Sequence, residues 1–421
     1  MGQNCDRHDI AMTEVWVTRM GLCSALGTTL QQSWSALMQG ETAIRLQQPF
    51  LDLPPLPLAL LGKQPAHLDH LLGLALDDLL PTSCMLSDVA SPRAQANWGV
   101  VVGSSRGYQL EMEQWSEAWS REEIPHDGVE LAGTSWRKLY GQSPASRVAC
   151  SLAALDCVPR LVLSPRAACS TGLWAIAQAV ELIQMGQCDG VIAGAVEAPL
   201  TPLTITGFQR MGALSGEGAY PFDQHRTGFV LGEGAALLCL ERREFAEARG
   251  AQPYAKVLGF GLTNDAYRAN APAPDAAGAI AATQDCLHRS SLYPHQIDYI
   301  HAHGTATRLN DDAEAALIQR LFPFSVRVSS TKGATGHTLG ASGAIGAAFC
   351  ISALHHQQIP PCTGLRQSGY NLNLHVPHTP HGAAARLTSP SASLKTTRLK
   401  TALCLSFGFG GQNAAIAFAA P

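Results

Sequence analysis

Four short stretches of this chain set a reactive or hydrogen-bonding side chain beside small, glycine-rich backbone. The first is Arg166-Ala-Ala-Cys169-Ser-Thr-Gly172. It separates a short apolar run from a longer one, which predicts a turn from a strand into a buried helix. A cysteine at that corner points its sulfur at the helix end, whose unpaired N–H groups favour a thiolate. Free cysteines are usually buried and inert, so Cys169 is either a nucleophile or core. The second stretch, His301-Ala-His303-Gly-Thr-Ala-Thr307, ends a predicted strand over 297–302. Glycine and two hydroxyl residues after His303 suit a pocket. His301 and His303 share one strand face, but no third metal ligand is placed nearby, and His301 reads as a packed or solvent-facing residue. The third, Lys332-Gly-Ala-Thr-Gly-His337-Thr-Leu-Gly340, leads from a strand into an apolar helix. It lacks the residue order of a phosphate loop. The fourth is Ser406-Phe-Gly-Phe409-Gly-Gly411-Gln-Asn413. It is either a plain turn or a loop that brings backbone N–H groups to a reacting oxygen.

The elements that must hold these stretches alternate between short apolar strands and helices, which predicts an α/β fold. Strands are expected over 15–21, 98–103, 161–163, 189–197 and 235–241. A second set is expected over 255–261, 297–302, 326–330, 399–405 and 414–418. Residues 171–180 and 338–354 are almost wholly apolar or small, so neither helix has a solvent face. One such helix in each half predicts a central helical layer between two sheets. A charged run over 242–252 marks the join. It gives an N-terminal half over 13–250 with the cysteine and a C-terminal half over 251–421 with both histidines and the Gly-rich turn. The Leu/Pro-rich residues 46–66 and the Pro/Ser/Thr-rich residues 379–398 read as surface loops.

Composition narrows the function classes. Charged residues are 15% of the 421 and apolar residues 46%, with 39 Gly and 25 Pro. Average soluble domains carry roughly 25% charged residues, so the chain has a large buried interior and is not disordered. A net charge of −4 gives little support to a nucleic-acid surface. Twelve cysteines without a C-x-x-C pair, in a chain too long to need staples, do not form a disulfide scaffold. Residues 1–14 lack the apolar core of a signal peptide, and 338–354 is too rich in Gly and Ser for a membrane span. A cytoplasmic protein with reduced thiols is expected.

With Pro221-Phe-Asp-x-x-Arg226-x-Gly-Phe229-x-x-Gly-Glu-Gly234 and Leu309-Asn-Asp-Asp-Ala-Glu314, the four stretches resemble the β-ketoacyl-acyl-carrier-protein synthases over about residues 15–418. These are condensing enzymes of the thiolase fold, here nearest the type II fatty-acid and polyketide groups. The resemblance implies a five-layered αβαβα architecture of two duplicated halves. It implies that Cys169 attacks an acyl thioester and that a malonyl thioester then loses carbon dioxide, its enolate held by His303 and His337. A second histidine, rather than Cys or Asn, favours decarboxylative elongation. By the same resemblance Lys332 pairs with Glu314 and orients the site, and the N–H groups of Cys169 and Phe409 take the acyl oxyanion. Phe409 gates the acyl pocket, Phe229 lines the malonyl side, and Thr305, Thr307, Gly408 and Gly410 hold the substrate arm. No metal or cofactor is expected, because substrates ride on the 4'-phosphopantetheine of acyl carrier protein. Arg210 and Lys63 are the expected docking cations, and a homodimer or a heterodimer with a synthase-like subunit is the expected assembly.

The sequence also departs from the family. Arg19 stands where Gly is common, Thr227 where Asp is frequent, and Gly346 where the fatty-acid branch commonly has Glu; residues 103–168 match only loosely. These departures point to a specialised lipid or polyketide pathway. The alternatives are housekeeping fatty-acid elongation and a non-catalytic chain-length-factor type of partner, which would typically lack the nucleophile.

Overall fold

The computed structural model describes residues 13–81, 96–121, 130–131, 134–135, 143–155, 157–376 and 398–421. Among them, eleven strands form one sheet: β1 (Val15–Ser24), β2 (Trp98–Gly103), β3 (Leu161–Leu163), β4 (Gly190–Glu197), β5 (Gly234–Arg242), β6 (Ala255–Asn264), β7 (Tyr299–His301), β8 (Arg327–Ser329), β9 (Asn373–Leu374), β10 (Thr401–Gly408) and β11 (Gln412–Ala419). All the strands expected from sequence are present, with ends moved by up to three residues. The addition is β9, a two-residue edge that pairs with Arg327 and Val328 and is too short to show a pattern.

The order across the sheet is β9-β8-β7-β10-β11-β6-β1-β5-β4-β2-β3. Its two sides meet through three antiparallel pairs, Val15–Val257, Trp16–Lys256 and Val17–Ala255. Each side repeats one plan. In the first, β1–β5 and β5–β4 are antiparallel, then β4–β2 and β2–β3 are parallel. In the second, β6–β11 and β11–β10 are antiparallel, then β10–β7 and β7–β8 are parallel. Parallel strands need long crossovers, and these crossovers carry the first three of the four stretches, while the fourth is the hairpin turn between antiparallel β10 and β11.

Alternation along the strands divides the interior into layers. Val101, Ala193 and Ala195 face the central core, which they share with the helices α3 (Thr171–Gln184) and α7 (Ser342–His356). Their neighbours Val100, Val102, Ile192 and Val196 face outward, under α1 (Leu68–Leu79) and α2 (Pro144–Ala153). In the second half Ala402, Cys404 and Ile416 point to the centre. Ile300, Leu403 and Ala415 point outward, under α5 (Ala277–Arg289) and α6 (Arg308–Leu321). The result is the five-layered αβαβα arrangement.

The central helices meet backbone to backbone. A Cβ on Gly172 would stand 2.3 Å from the Ala344 nitrogen, so this crossing requires glycine. Leu339–His356 is long and apolar enough to cross a membrane, but almost all of it is buried as this inner layer.

Part of the stretch 46–66 is not a surface loop. Leu58 and Leu60 are buried with Phe229 and Leu339, because the Ala59 N–H bonds the Leu231 carbonyl at 2.9 Å and draws the segment inward. Residues 379–397 lie outside the described residues. The ten described cysteines are all free.

Candidate active site

The turn from β3 into α3 is built by its own hydroxyls. Ser170 Oγ donates to the Ala167 carbonyl at 2.7 Å, Thr171 Oγ1 donates to the Ala168 carbonyl at 2.7 Å, and the Ala167 N–H donates to Thr171 Oγ1 at 2.9 Å. This closure forces Ala168 to a left-handed φ of +47° and presents Cys169 at the start of the helix. Ser406 Oγ, on β10, donates to the Cys169 carbonyl at 3.0 Å. The Gly-rich hairpin turn after β10 then passes so close that a Cβ on Gly408 would stand 3.0 Å from the Cys169 nitrogen. The first half therefore supplies the thiol, and the second half lays the Phe409 N–H beside it.

Contrary to the thiolate expected at a helix end, burial pushes the Cys169 thiol up to about 11. The Lys332 charge and the Phe409 N–H work against that rise, and the buried Glu197 carboxylate adds to it. Desolvation outweighs the helix terminus here.

Both histidines face the same pocket of about 490 Å³, with Cys169, Phe229, Thr305 and Phe409 on its wall. The His303 and His337 rings lie 5.4 Å apart, edge to face, and the Phe229 ring is 5.2 Å from His337. Burial, with the Lys332 charge second, holds each imidazole well below its ordinary range, so both are neutral. Nδ1 of each ring is sealed in without a partner, which leaves Nε2 as the nitrogen open to the pocket. A proton on Nε2 leaves only a lone pair unmatched inside, rather than an orphaned N–H.

Lys332 and Glu314 hold this arrangement, but not as an ion pair. Glu314 accepts the His303 N–H at 2.6 Å and the Gly304 N–H at 2.7 Å, while Lys332 Nζ donates to the His303 carbonyl. The two side chains grip one stretch of backbone from different sides, each acting on the other only through its charge. Burial raises the Glu314 carboxyl and lowers the Lys332 ammonium.

The other expected residues divide between wall and surroundings. Thr305 and Thr307 line the pocket, their hydroxyls 2.9 Å apart, and Gly408 lines it too. Gly410 lies away from the wall, in the hairpin turn, where its N–H bonds the Ala269 carbonyl at 2.7 Å. His301 is buried behind the site, 3.2 Å from Thr331 Oγ1. Arg210 ends helix α4 (Pro202–Arg210) as an exposed residue beside Met211 and Gly212, which do line the pocket. Lys63 is exposed on a loop and is not among the lining residues. Thr227 lines the pocket with its hydroxyl 2.8 Å from Ser215 Oγ.

Three features were not anticipated. Glu197, fully buried, takes five hydrogen bonds: from the Ser104 and Ser105 hydroxyls and from the N–H groups of Ser105, Arg106 and Gly340. It ties the β2 end to the turn after His337. Its signal was available, as the lone charge on the strand Gly-Val-Ile-Ala-Gly-Ala-Val-Glu. Phe208 packs 5.1 Å from Phe229 and 6.1 Å from Phe409. Arg268 and Arg308 line the pocket as exposed cations.

Comparison with known proteins agrees with this geometry. The family descriptions "Beta-ketoacyl synthase, N-terminal domain" and "Beta-ketoacyl synthase, C-terminal domain" match residues 85–246 and 254–366. The chain is 30% identical to 3-oxoacyl-(acyl-carrier-protein) synthase 2 of Vibrio cholerae over 447 aligned positions, covering 96% of this chain and 98% of that one. It is 39% identical over 264 residues to the mitochondrial 3-oxoacyl-(acyl-carrier-protein) synthase of Arabidopsis thaliana, 60% of this chain and 55% of that one. A β-ketoacyl synthase from Burkholderia phymatum superposes with a TM-score of 0.80 at 26% identity, covering 97% of this chain and 100% of that one. A structure of a ketosynthase in complex with its chain length factor, from Xenorhabdus doucetiae, gives 0.78 at 27% identity, with both chains fully covered. The thiol corner, the paired histidines and the near end-to-end likeness make one assignment: this chain belongs to the β-ketoacyl synthase family.

Proposed function

We propose that the chain condenses an acyl group, held on Cys169, with a malonyl thioester delivered by acyl carrier protein. The observation that carries this reading is the convergence of one thiol and two neutral, pocket-facing imidazoles. In the first step the Cys169 sulfur attacks the acyl thioester carbonyl, and its proton passes to the departing carrier sulfur. The C–S bond to the carrier breaks, and the carrier leaves as a thiol with that proton. The charge on the tetrahedral oxygen falls to the N–H groups of Cys169 and Phe409. In the second step the malonyl carboxylate departs as carbon dioxide, and its electron pair becomes an enolate whose oxygen takes Nε2–H bonds from His303 and His337. The enolate carbon attacks the acyl-cysteine, and Cys169 leaves with the electron pair and regains a proton from solvent water. Neutral imidazoles suit this work, since each keeps one N–H to give to the developing enolate oxygen.

The substrates ride on a phosphopantetheine arm. Thr305 and Thr307 are its hydroxyl partners along the pocket, and Arg268, Arg308 and the nearby Arg210 are the cations available to its phosphate and to an acidic carrier. Phe229 lines the malonyl side and Phe409 the acyl entrance. The site's chemistry draws on side chains and backbone without a further cofactor. The glycine at 346 supports a specialised lipid or polyketide pathway over housekeeping elongation. A second synthase-like subunit, a copy of this chain or a related one, adds to the sheet edge at β3. That edge strand exposes Val162 and Leu163, with Val158 beside it 76% exposed, and unpaired apolar edges invite pairing.

Intact-mass measurement after incubation with an acyl-carrier protein tests the reading. One acyl adduct is expected on the wild type and none on Cys169→Ala. An adduct that survives in the variant would overturn the assignment of the nucleophile. A wild type that binds carrier but never acylates would mark a non-catalytic partner subunit.

A further inference from the structure

Behind the pocket, His301 fills a space that belongs to two elements at once. Its ring is buried at the last position of β7, two residues before His303. Nε2 lies 3.2 Å from Thr331 Oγ1, and Nδ1 lies 4.0 Å from Cys404 Sγ on β10. The helix α7 crosses directly over it at Gly346. A Cβ built there would stand 2.9 Å from His301 Cε1, 3.0 Å from Nδ1 and 3.2 Å from Cys404 Sγ. No side chain at 346 fits while the imidazole holds this place, since interiors are close-packed and these neighbours are ring and sulfur, not flexible chain ends.

Thr331 is the residue from which the Lys332–Thr335 turn starts. Its carbonyl accepts the Ala334 N–H at 2.9 Å and the Thr335 N–H at 3.0 Å. The turn carries Lys332 at its first position and delivers His337 just beyond Gly336. Lys332 in turn holds the His303 carbonyl. His301 thus reaches both oxyanion-binding imidazoles: His303 two residues on along the chain, and His337 through Thr331 and the turn.

We propose that His301 is a positioning residue for the His303–His337 pair, and that Gly346 is the site that admits it, so that 301 and 346 cannot both carry bulk. This rests on the function proposed above for the two imidazoles. The glycine noted at position 346 is then the counterpart of the histidine: it leaves the space that the ring fills. The ring fixes the spacing of the two donors without touching substrate, so its removal acts on turnover and not on binding.

The test uses the full-length enzyme, with malonyl-thioester decarboxylation and thermal melting read side by side. His301→Ala should lower kcat about 10- to 100-fold, the scale of an ångström-sized misplacement, with KM little changed. His301→Gln, whose amide nitrogen can occupy the Nε2 position beside Thr331, should recover most of that loss. Gly346→Ala should lower both the melting temperature and kcat. Adding His301→Ala to Gly346→Ala should restore the melting temperature to that of His301→Ala alone and leave kcat low. Space is then repaired while positioning is not.

A His301→Ala enzyme with wild-type kcat, or a Gln variant as slow as the Ala variant, would overturn the positioning role. A Gly346→Ala enzyme that melts and turns over like the wild type would overturn the pairing. If the wild type does not decarboxylate malonyl thioesters at all, it is the proposed function that falls. The melting temperatures of Gly346→Ala and the double variant still decide whether the two positions exclude each other.

Discussion

A thiol that burial holds near pH 11 is almost wholly protonated at neutral pH, so Cys169 is quiet until a substrate arrives with its own hydrogen-bonding demands. Below its pKa, the thiolate fraction of such a group grows about tenfold for each unit by which the pH rises. Alkylation of Cys169 by iodoacetamide should therefore climb steadily from pH 7 to pH 10. A plateau near neutrality would show that the helix terminus prevails over burial after all. The Lys332 charge pulls the thiol down, so Lys332→Met should slow alkylation at any fixed pH in that range. The imidazoles answer to a different measurement. Removing one oxyanion donor typically costs about 10²–10³ in rate, and His303→Ala and His337→Ala should each slow malonyl decarboxylation on that scale. Acyl transfer to Cys169 should suffer less, because the N–H groups of Cys169 and Phe409 remain. Decarboxylation at the wild-type rate in both variants would remove the histidines from that step.

At the scale of elements, the decisive contact is the crossing of α3 and α7. Overpacking a filled interior costs about 1–3 kcal/mol, and a methyl on Gly172 meets main chain, which yields less readily than a side chain. Gly172→Ala should lower the urea midpoint correspondingly, with a loss of acyl transfer as α3 carries Cys169 away from the Gly-rich turn. An unchanged midpoint would mean that the helices separate freely. That crossing also shows how the sequence could and could not be read. The absence of charge from 171–180 and 338–354 announced two helices covered on all sides, and alternation gave the strands, because both follow from local pattern. The Cys169 corner and the His303 strand end were legible for the same reason. The partners of Glu314 were not, since a carboxylate that grips the N–H groups of residues ten and eleven positions earlier leaves no periodic trace. Nor was the upward shift of the thiol, which depends on how completely distant segments exclude water. The inward pull of Leu58 and Leu60 was hidden likewise, as it comes from a bond to Leu231 far along the chain.

For the molecule as a whole, the exposed edge at β3 is the proposed place of assembly. An exposed edge strand carrying apolar side chains is a template for another strand, and a lysine there is the usual deterrent. Val162→Lys with Leu163→Lys should halve the mass seen by analytical ultracentrifugation, or abolish association with a synthase-like partner. An unaltered assembly would move the interface elsewhere. The two halves repeat one strand plan, and neither holds a working site: the thiol comes from the first, and both imidazoles and the Phe409 N–H come from the second. On the ribosome this division has a temporal meaning. Chains grow at roughly 5–20 residues per second, so Cys169 emerges on the order of ten seconds or more before the residues that complete its surroundings. During that interval it is an ordinary cysteine on an unfinished protein, with no N–H from Phe409 and neither imidazole beside it. A nascent chain therefore cannot capture an acyl group before it can use one, and Cys169 gains its reactivity only once the segments around His303, His337 and Phe409 have joined it.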